Sequence, residues 1–174
     1  MPMISNSPQR ILLPARAGFM VLTLFLALMF DLMPWGDAIG VPDLLGLVLV
    51  FWCTHQPRRM GIGAAWALGL IMDAGTGSLM GQHAFAYAIL AFLSIALHRR
   101  MLWFSLKHQA VHVLILMLLV QALMLGVRMF AGAPFPGIGY FLGAVVGAAV
   151  WPLLAILLIA PQRRPESVDE NRPI

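Results

Sequence analysis

Apolar runs separated by short polar breaks set the rhythm of this chain, and each run is long enough for a helix. Residues 17–32 form the first. Residues 44–54 follow after the turn-prone Met33-Pro34-Trp35-Gly36-Asp37, with Pro42 suited to a first helical turn, where a missing N–H is tolerated. A glycine-rich third run covers residues 60–73, and the stretch 74–81 after it is flexible by composition. The fourth and fifth runs span residues 82–97 and 109–130. Ala133-Pro134-Phe135-Pro136-Gly137 then breaks the chain before a sixth run at 138–160. Arg10 and Arg16 before the first run resemble the charged region of a secretory signal. No convincing small-x-small cleavage site follows and more apolar segments do, so an uncleaved first helix is expected.

Composition turns these helices into membrane candidates. Hydrophobic residues make up 61% of the 174 residues and charged residues only 10%, with mean hydropathy +0.89. A soluble domain holds about 25% charged residues, so a soluble globular class is excluded. A membrane crossing takes about 20 apolar residues, and six crossings use most of the length. The expected fold is an all-α integral membrane protein with six transmembrane helices at residues 17–160, a cytoplasmic segment at 1–16 and a polar cytoplasmic tail at 161–174.

Charge sets the orientation, because cytoplasmic loops are enriched in Lys and Arg. With the N-terminus inside, Arg10, Arg16, Arg58, Arg59, Arg99, Arg100, Lys107, Arg163, Arg164 and Arg172 all fall inside, which is ten of the eleven basic residues. Three of these lie in a basic loop expected at residues 98–108. A net charge of +4 scattered in this way fits a membrane better than nucleic acid, which needs a basic face. Trp35, Trp103, Tyr140 and Trp151 lie near expected helix ends, where amphipathic rings favour the interface.

The same orientation gathers Asp31, Asp37, Asp43, Asp73 and Arg128 at the outer side. The first three read as hydrated interfacial groups, while Asp31, Asp43, Asp73 and Arg128 could line a cavity as readily as lock helices. A charge within hydrocarbon costs at least about 2.5 kcal/mol, so Asp73 and Arg128 are expected to face inward, with Arg128 pairing with Asp73 or Asp43. Asp73 is also placed to accept hydrogen bonds from the next turn or from the start of the fourth helix near Gln82. Small residues recur every fourth position at Gly61, Ala65, Gly69, Asp73 and Gly77, and again at Gly139, Gly143 and Gly147. Such stripes let helix backbones approach closely in lipid.

Catalytic chemistry finds little support. Lone Cys53 reads as a core residue, His108 and His112 share a spacing without a third ligand, and Ser94 and Ser105 lack a base. No metal, cofactor or catalytic residue is expected.

Several motifs together resemble the bacterial rod shape-determining protein MreD family. Met33-Pro34-Trp35, Pro42-Asp43-Leu44 and Trp52 match its early pattern. Pro57-Arg58, Gly61, Gly63, Gly69, Asp73, Gly77, Leu79 and Gly81 match its basic loop, glycine-rich third helix and Asp-bearing turn, and Trp151-Pro152 fits its last helix. Gly36 and the polar tail depart from the pattern. The resemblance implies a non-enzymatic, multi-pass inner-membrane subunit of the cell-elongation complex, needed for cell shape and lateral peptidoglycan synthesis. Its implied partners are MreC, MreB, RodA and the penicillin-binding transpeptidase that works with RodA, along with membrane lipids. It also implies a six-helix fold similar to the substrate-binding subunits of energy-coupling-factor transporters. A small-molecule-binding or transport subunit with an outward-facing polar cavity is the alternative, supported by Asp31, Asp43, Asp73 and Arg128 and by glycine stripes in the third helix of each half.

Overall fold

The computed structural model describes residues 16–35 and 40–162. Among them are six α-helices: α1 Ala17–Asp31, α2 Leu44–His55, α3 Ile62–Thr76, α4 Gln82–Trp103, α5 Leu106–Phe130 and α6 Leu142–Ile159. Short 3-10 turns, Ile138–Phe141 and Ala160–Gln162, flank α6. Arg10, Asp37, Arg163, Arg164 and Arg172 lie outside the described residues, as do all of the N-terminal segment except Arg16 and all of the tail beyond Gln162.

The centre of the bundle is α2. Its run Leu-Leu-Gly-Leu-Val-Leu-Val-Phe-Trp-Cys has no polar face, and every residue from Leu45 to Thr54 is buried. A helix that is apolar all round needs cover on every side, and α1, α4, α5 and α6 supply it. Phe51 and Trp52 meet edge-to-face at 5.1 Å, while the Trp52 indole donates to Thr23 Oγ1 of α1 at 3.0 Å. Trp151 of α6 approaches Phe51 at 6.4 Å. Fully buried halfway along α6, it is a core residue and does not mark a helix end as the sequence reading expects. Pro152 follows it inside α6, where its ring removes one backbone donor.

α3 packs most intimately on α4, and Gly69 makes this possible. A Cβ there would run into the Ala84 backbone, and the His83 carbonyl carbon would lie 2.7 Å away. Gly143 plays the same part in α6, with Val41 O 2.6 Å and Gln121 Nε2 3.0 Å from an added Cβ. The expected third-helix stripe is shorter than its spacing suggests. Gly61 is the α3 N-cap with open space beside it, and Gly77 closes α3 in the left-handed region at φ +64°.

The expected basic loop at residues 98–108 is mostly helix. α4 runs to Trp103 and α5 starts at Leu106, so only Phe104 and Ser105 connect them. Arg and Lys are good helix formers with long stems that reach solvent from a helical turn, and charge alone therefore does not mark a break. α4, α5 and the stretch Ile138–Gln162 are long and apolar enough to cross a membrane, while α1, α2 and α3 are shorter. Large apolar side chains cover the outer surface, among them Phe25, Trp66, Phe92, Ile115 and Leu153.

Candidate functional site

Short turns make successive helices antiparallel, so the ends of α1, α3 and α5 meet the starts of α2, α4 and α6 at one end of the bundle. The first four amides of a helix have no partner within it, and in apolar surroundings each needs an acceptor. Two carboxylates serve the buried helix α2. Asp31, the last residue of α1, accepts from Leu44 N–H at 3.1 Å and from Leu45 N–H at 2.7 Å. Asp43, the N-cap itself, accepts from Gly46 N–H at 2.7 Å. The Tyr87 hydroxyl of α4 donates to the same Asp43 oxygen at 2.9 Å, joining α4 to the cap. Gly46 leaves room for this, since a Cβ would sit 2.8 Å from Asp43 Oδ2.

One carboxylate serves α4. Its N-cap, Gly81, has no side chain and sits at φ +97°, so the acceptor comes from α3. Asp73 Oδ2 accepts from Gly81 N–H at 2.8 Å and Ala84 N–H at 3.3 Å, and Oδ1 accepts from His83 N–H at 2.8 Å. Ser78 O–H donates to Oδ1 at 2.9 Å, and His83 Nδ1 lies 2.8 Å from it. Asp73 is only 1% exposed, yet its oxygens are fully used. A negative charge at a helix N-terminus is also favoured by the partial positive charge of the exposed amides. Gly69 and Asp73 are four residues apart, on one face of α3. The glycine admits the α4 backbone and the carboxylate then binds its first turn.

Around these caps lie two polar cavities. One, of about 220 Å³, is lined by Asp31, Asp43, His83, Tyr87, Gln121 and Tyr140 among others. The second, of about 480 Å³, has Arg128, Ser78, Gln82, His83 and Tyr140 in its wall. His83 and Tyr140 belong to both, so the cavities adjoin.

Comparison with known proteins bears directly on this arrangement. Residues 10–160 match the family model described as rod shape-determining protein MreD. This chain belongs to the MreD family. The rod shape-determining protein MreD of Haemophilus influenzae is 29% identical to it over 153 residues, covering 84% of this chain and 92% of that protein. No solved structure matches the chain. A family fixed as shape-determining, together with long apolar helices, makes this a membrane protein whose role is in rod shape.

Within that MreD frame, the sequence-expected residues separate into groups. Asp43, Gly69, Asp73, Gly77 and Gly81 converge on the two capped turns, with Pro42 just before the α2 cap and so outside the helical turn expected for it. The hydrogen bonds expected from Asp73 to the start of the fourth helix are present. Asp31 and Asp43 are partly buried and bound to backbone, more than hydrated surface groups. Trp52, Trp151 and Pro152 lie in the core or along α6, away from the caps, and Gly143 seats α6 beside Val41. Gly61 lies at the opposite end.

Arg128 departs from expectation. It is exposed beside the Tyr140 phenol, and the side chain that meets Asp73 across the turn is His83, with Nδ1 2.8 Å from Oδ1. His83 is both a helix donor and a neighbour in the fold, so it reaches Asp73 without the crossing that Arg128 would need. Sequence reading passed over His83, Tyr87, Ser78 and Gln121. The spacing of His83 and Tyr87, one helical turn apart, was the available signal.

Proposed function

We propose that this chain is a non-enzymatic inner-membrane subunit of the bacterial cell-elongation complex, assembling with MreC and through it with MreB, RodA and the RodA-associated transpeptidase during lateral peptidoglycan synthesis. The family match over residues 10–160 carries this reading. In this reading all six helices span the inner membrane, both termini are cytoplasmic, and the capped end faces outward. Ten of eleven basic residues inside support that orientation. The short helix α2, about 18 Å long at 1.5 Å per residue, is less than the roughly 30 Å hydrocarbon core. Its neighbours cover it, and the caps satisfy its outer end. The likeness to the substrate-binding subunits of energy-coupling-factor transporters belongs to the same proposal.

Complementation tests it. In a rod-shaped bacterium lacking its own family member, expression of this chain restores rods and co-purifies MreC; round cells with normal membrane levels of the chain would overturn the reading. Reporter fusions after Arg59, Arg100 and Arg164 give cytoplasmic signals, and those near Asp37, Ser78 and Pro136 give periplasmic ones. A second reading, a small-molecule-binding subunit, draws on the cavity of about 220 Å³ between Asp31, Asp43 and Tyr140. A chromosomal neighbour encoding a pair of ATPases, in place of a one-helix coiled-coil protein, would favour it.

A further inference from the structure

Two sides of the bundle differ in height. On one side stand α1 and α3 with 15 residues each, or about 22 Å at 1.5 Å per residue. Elsewhere α5 has 25 residues, with Lys107 and Arg128 about 31 Å apart along its axis, and the apolar stretch Ile138–Gln162 is equally long in residues. α1 packs on α2 and α3 on α4, and the outer tips of α1 and α3 meet where Leu32 lies against Gly75. Both short helices turn large apolar side chains outward, Val21, Phe25 and Met29 from α1 and Ile62, Trp66 and Ile71 from α3. The short side cannot be lengthened from its ends. α3 begins at Gly61 and closes at Gly77 into the turn before α4. Non-helical backbone facing lipid is excluded from hydrocarbon, because its N–H and C=O groups find no partner there. α1 ends at Asp31, whose carboxylate is held by the Leu44 and Leu45 amides and does not reach outward. Tilting a helix only shortens its span across the membrane. A hydrocarbon core of roughly 30 Å therefore exceeds this side by about 8 Å.

We propose that the lipid bilayer thins along the α1–α3 side to about 22 Å, while the α5 side meets membrane of ordinary thickness. A helix shorter than the core is accommodated by thinning, by flanking side chains that reach the headgroups, or by association with protein. The second route serves long basic side chains such as Lys107 and Arg128, but the ends of α3 are backbone turns, and a turn cannot reach outward. Lipid is favoured over covering protein by the position of two exposed indoles. Trp35 follows the outer end of α1 and Trp66 lies about one turn inside the inner end of α3, near the two levels where such rings anchor at a membrane surface. This inference rests on the six-span placement proposed above.

Nitroxide labels on the full-length protein in dioleoylphosphatidylcholine vesicles measure the thickness at each helix. In a Cys53→Ala background, Gly63→Cys and Ala74→Cys mark the two ends of α3, and Val111→Cys and Met129→Cys mark those of α5. All four positions are exposed, and a side chain at Gly63 meets open space. Power saturation with oxygen and a nickel chelate gives the depth of each label below its nearer surface. The two depths added to the helical distance between the labels, about 16 Å on α3 and about 27 Å on α5, give the local thickness. About 22 Å is expected at α3 and about 30 Å at α5. In dimyristoleoylphosphatidylcholine, whose chains are shorter, the two values are expected to converge. Ala64→Cys and Ile71→Cys, also at exposed positions, replace the α3 pair if either of its variants misfolds. Equal thickness of about 30 Å at both helices in the dioleoyl lipid would overturn the proposal. So would oxygen contact at the α3 labels far below that at the α5 labels, which would mean that a second copy or another protein helix covers this face. Reporter fusions after Arg59 and near Ser78, read separately, show whether α3 crosses at all and keep a failure of the six-span reading distinct from a failure of thinning.

Discussion

At the α3–α4 turn a carboxylate from the preceding helix binds three amides of the next one, and the α1–α2 turn repeats the device with Asp31. At the α5–α6 turn no acid stands in the corresponding place; Arg128 does. There the chain unwinds through Pro134, Pro136 and Gly137 and enters α6 by a 3-10 turn, in which Tyr140 N–H bonds to Gly137 O and Leu142 N–H to Gly139 O. The difference teaches what each turn is free to do. An acid-capped turn has the first amides of its helix held by a carboxylate. The backbone-satisfied turn supplies Arg128 and Tyr140 to cavity walls that it shares with the capped turns, and Arg128 is exposed there.

The largest effect should come from breaking the better-bonded acid turn. Asp73→Leu orphans three amides, His83 and Ser78, and at about 1–3 kcal/mol per lost buried partner the loss is at least about 3 kcal/mol. That corresponds to a fall of about 10 °C in thermal midpoint for a chain of this length, measurable in detergent. Asp73→Asn, which keeps the shape and one acceptor, should lose less and insert normally. Next comes the contact beneath the cap. Gly69→Leu drives a side chain into the α4 backbone and should cost about 1–3 kcal/mol or more, with Gly143→Leu similar at α6. Normal stability and normal MreC capture for both would refute the close approach.

A smaller loss is expected at α2. Asp43→Ala removes one cap and the Tyr87 contact while Asp31 still holds two amides, so about 1 kcal/mol is lost; Tyr87→Phe should account for part of it in a thermal scan. The smallest effect sharpens the contrast most. Arg128→Leu should change stability by less than about 0.5 kcal/mol, and in combination with Asp73→Leu the losses should add. A non-additive cycle would restore the ion pair that the structure does not contain.

Much of this architecture is legible in the sequence, and the exceptions have physical causes. Apolar runs placed all six helices, because helix length and hydropathy are local properties. The α3–α4 turn could be read in advance, since Asp73, Gly77 and Gly81 are turn and cap residues within a few positions of one another. The α4–α5 junction could not. Arg99, Arg100 and Lys107 carry charge, but charge is compatible with helix. Trp151 shows the same limit, because an indole fits an interface or a core equally well by type and only the packing of α2 against α6 decides. The pairing of Arg128 with Asp73 or Asp43 fails for a related reason. Formal charge points to Arg128, whereas Asp73 is taken up by the amides expected for it and by His83, which the start of α4 brings into place.

The central claim is that each acid holds its own helix start. Amide hydrogen exchange, followed residue by residue by NMR in a single detergent, tests it directly. In the parent, Leu44, Leu45, Gly81, His83 and Ala84 should exchange slowly. Asp73→Asn should speed Gly81, His83 and Ala84 while leaving Leu44 and Leu45 unchanged, and Asp31→Asn should do the reverse. Unchanged exchange at residues 81–84 in Asp73→Asn, or equal acceleration at both turns in either variant, would contradict the account.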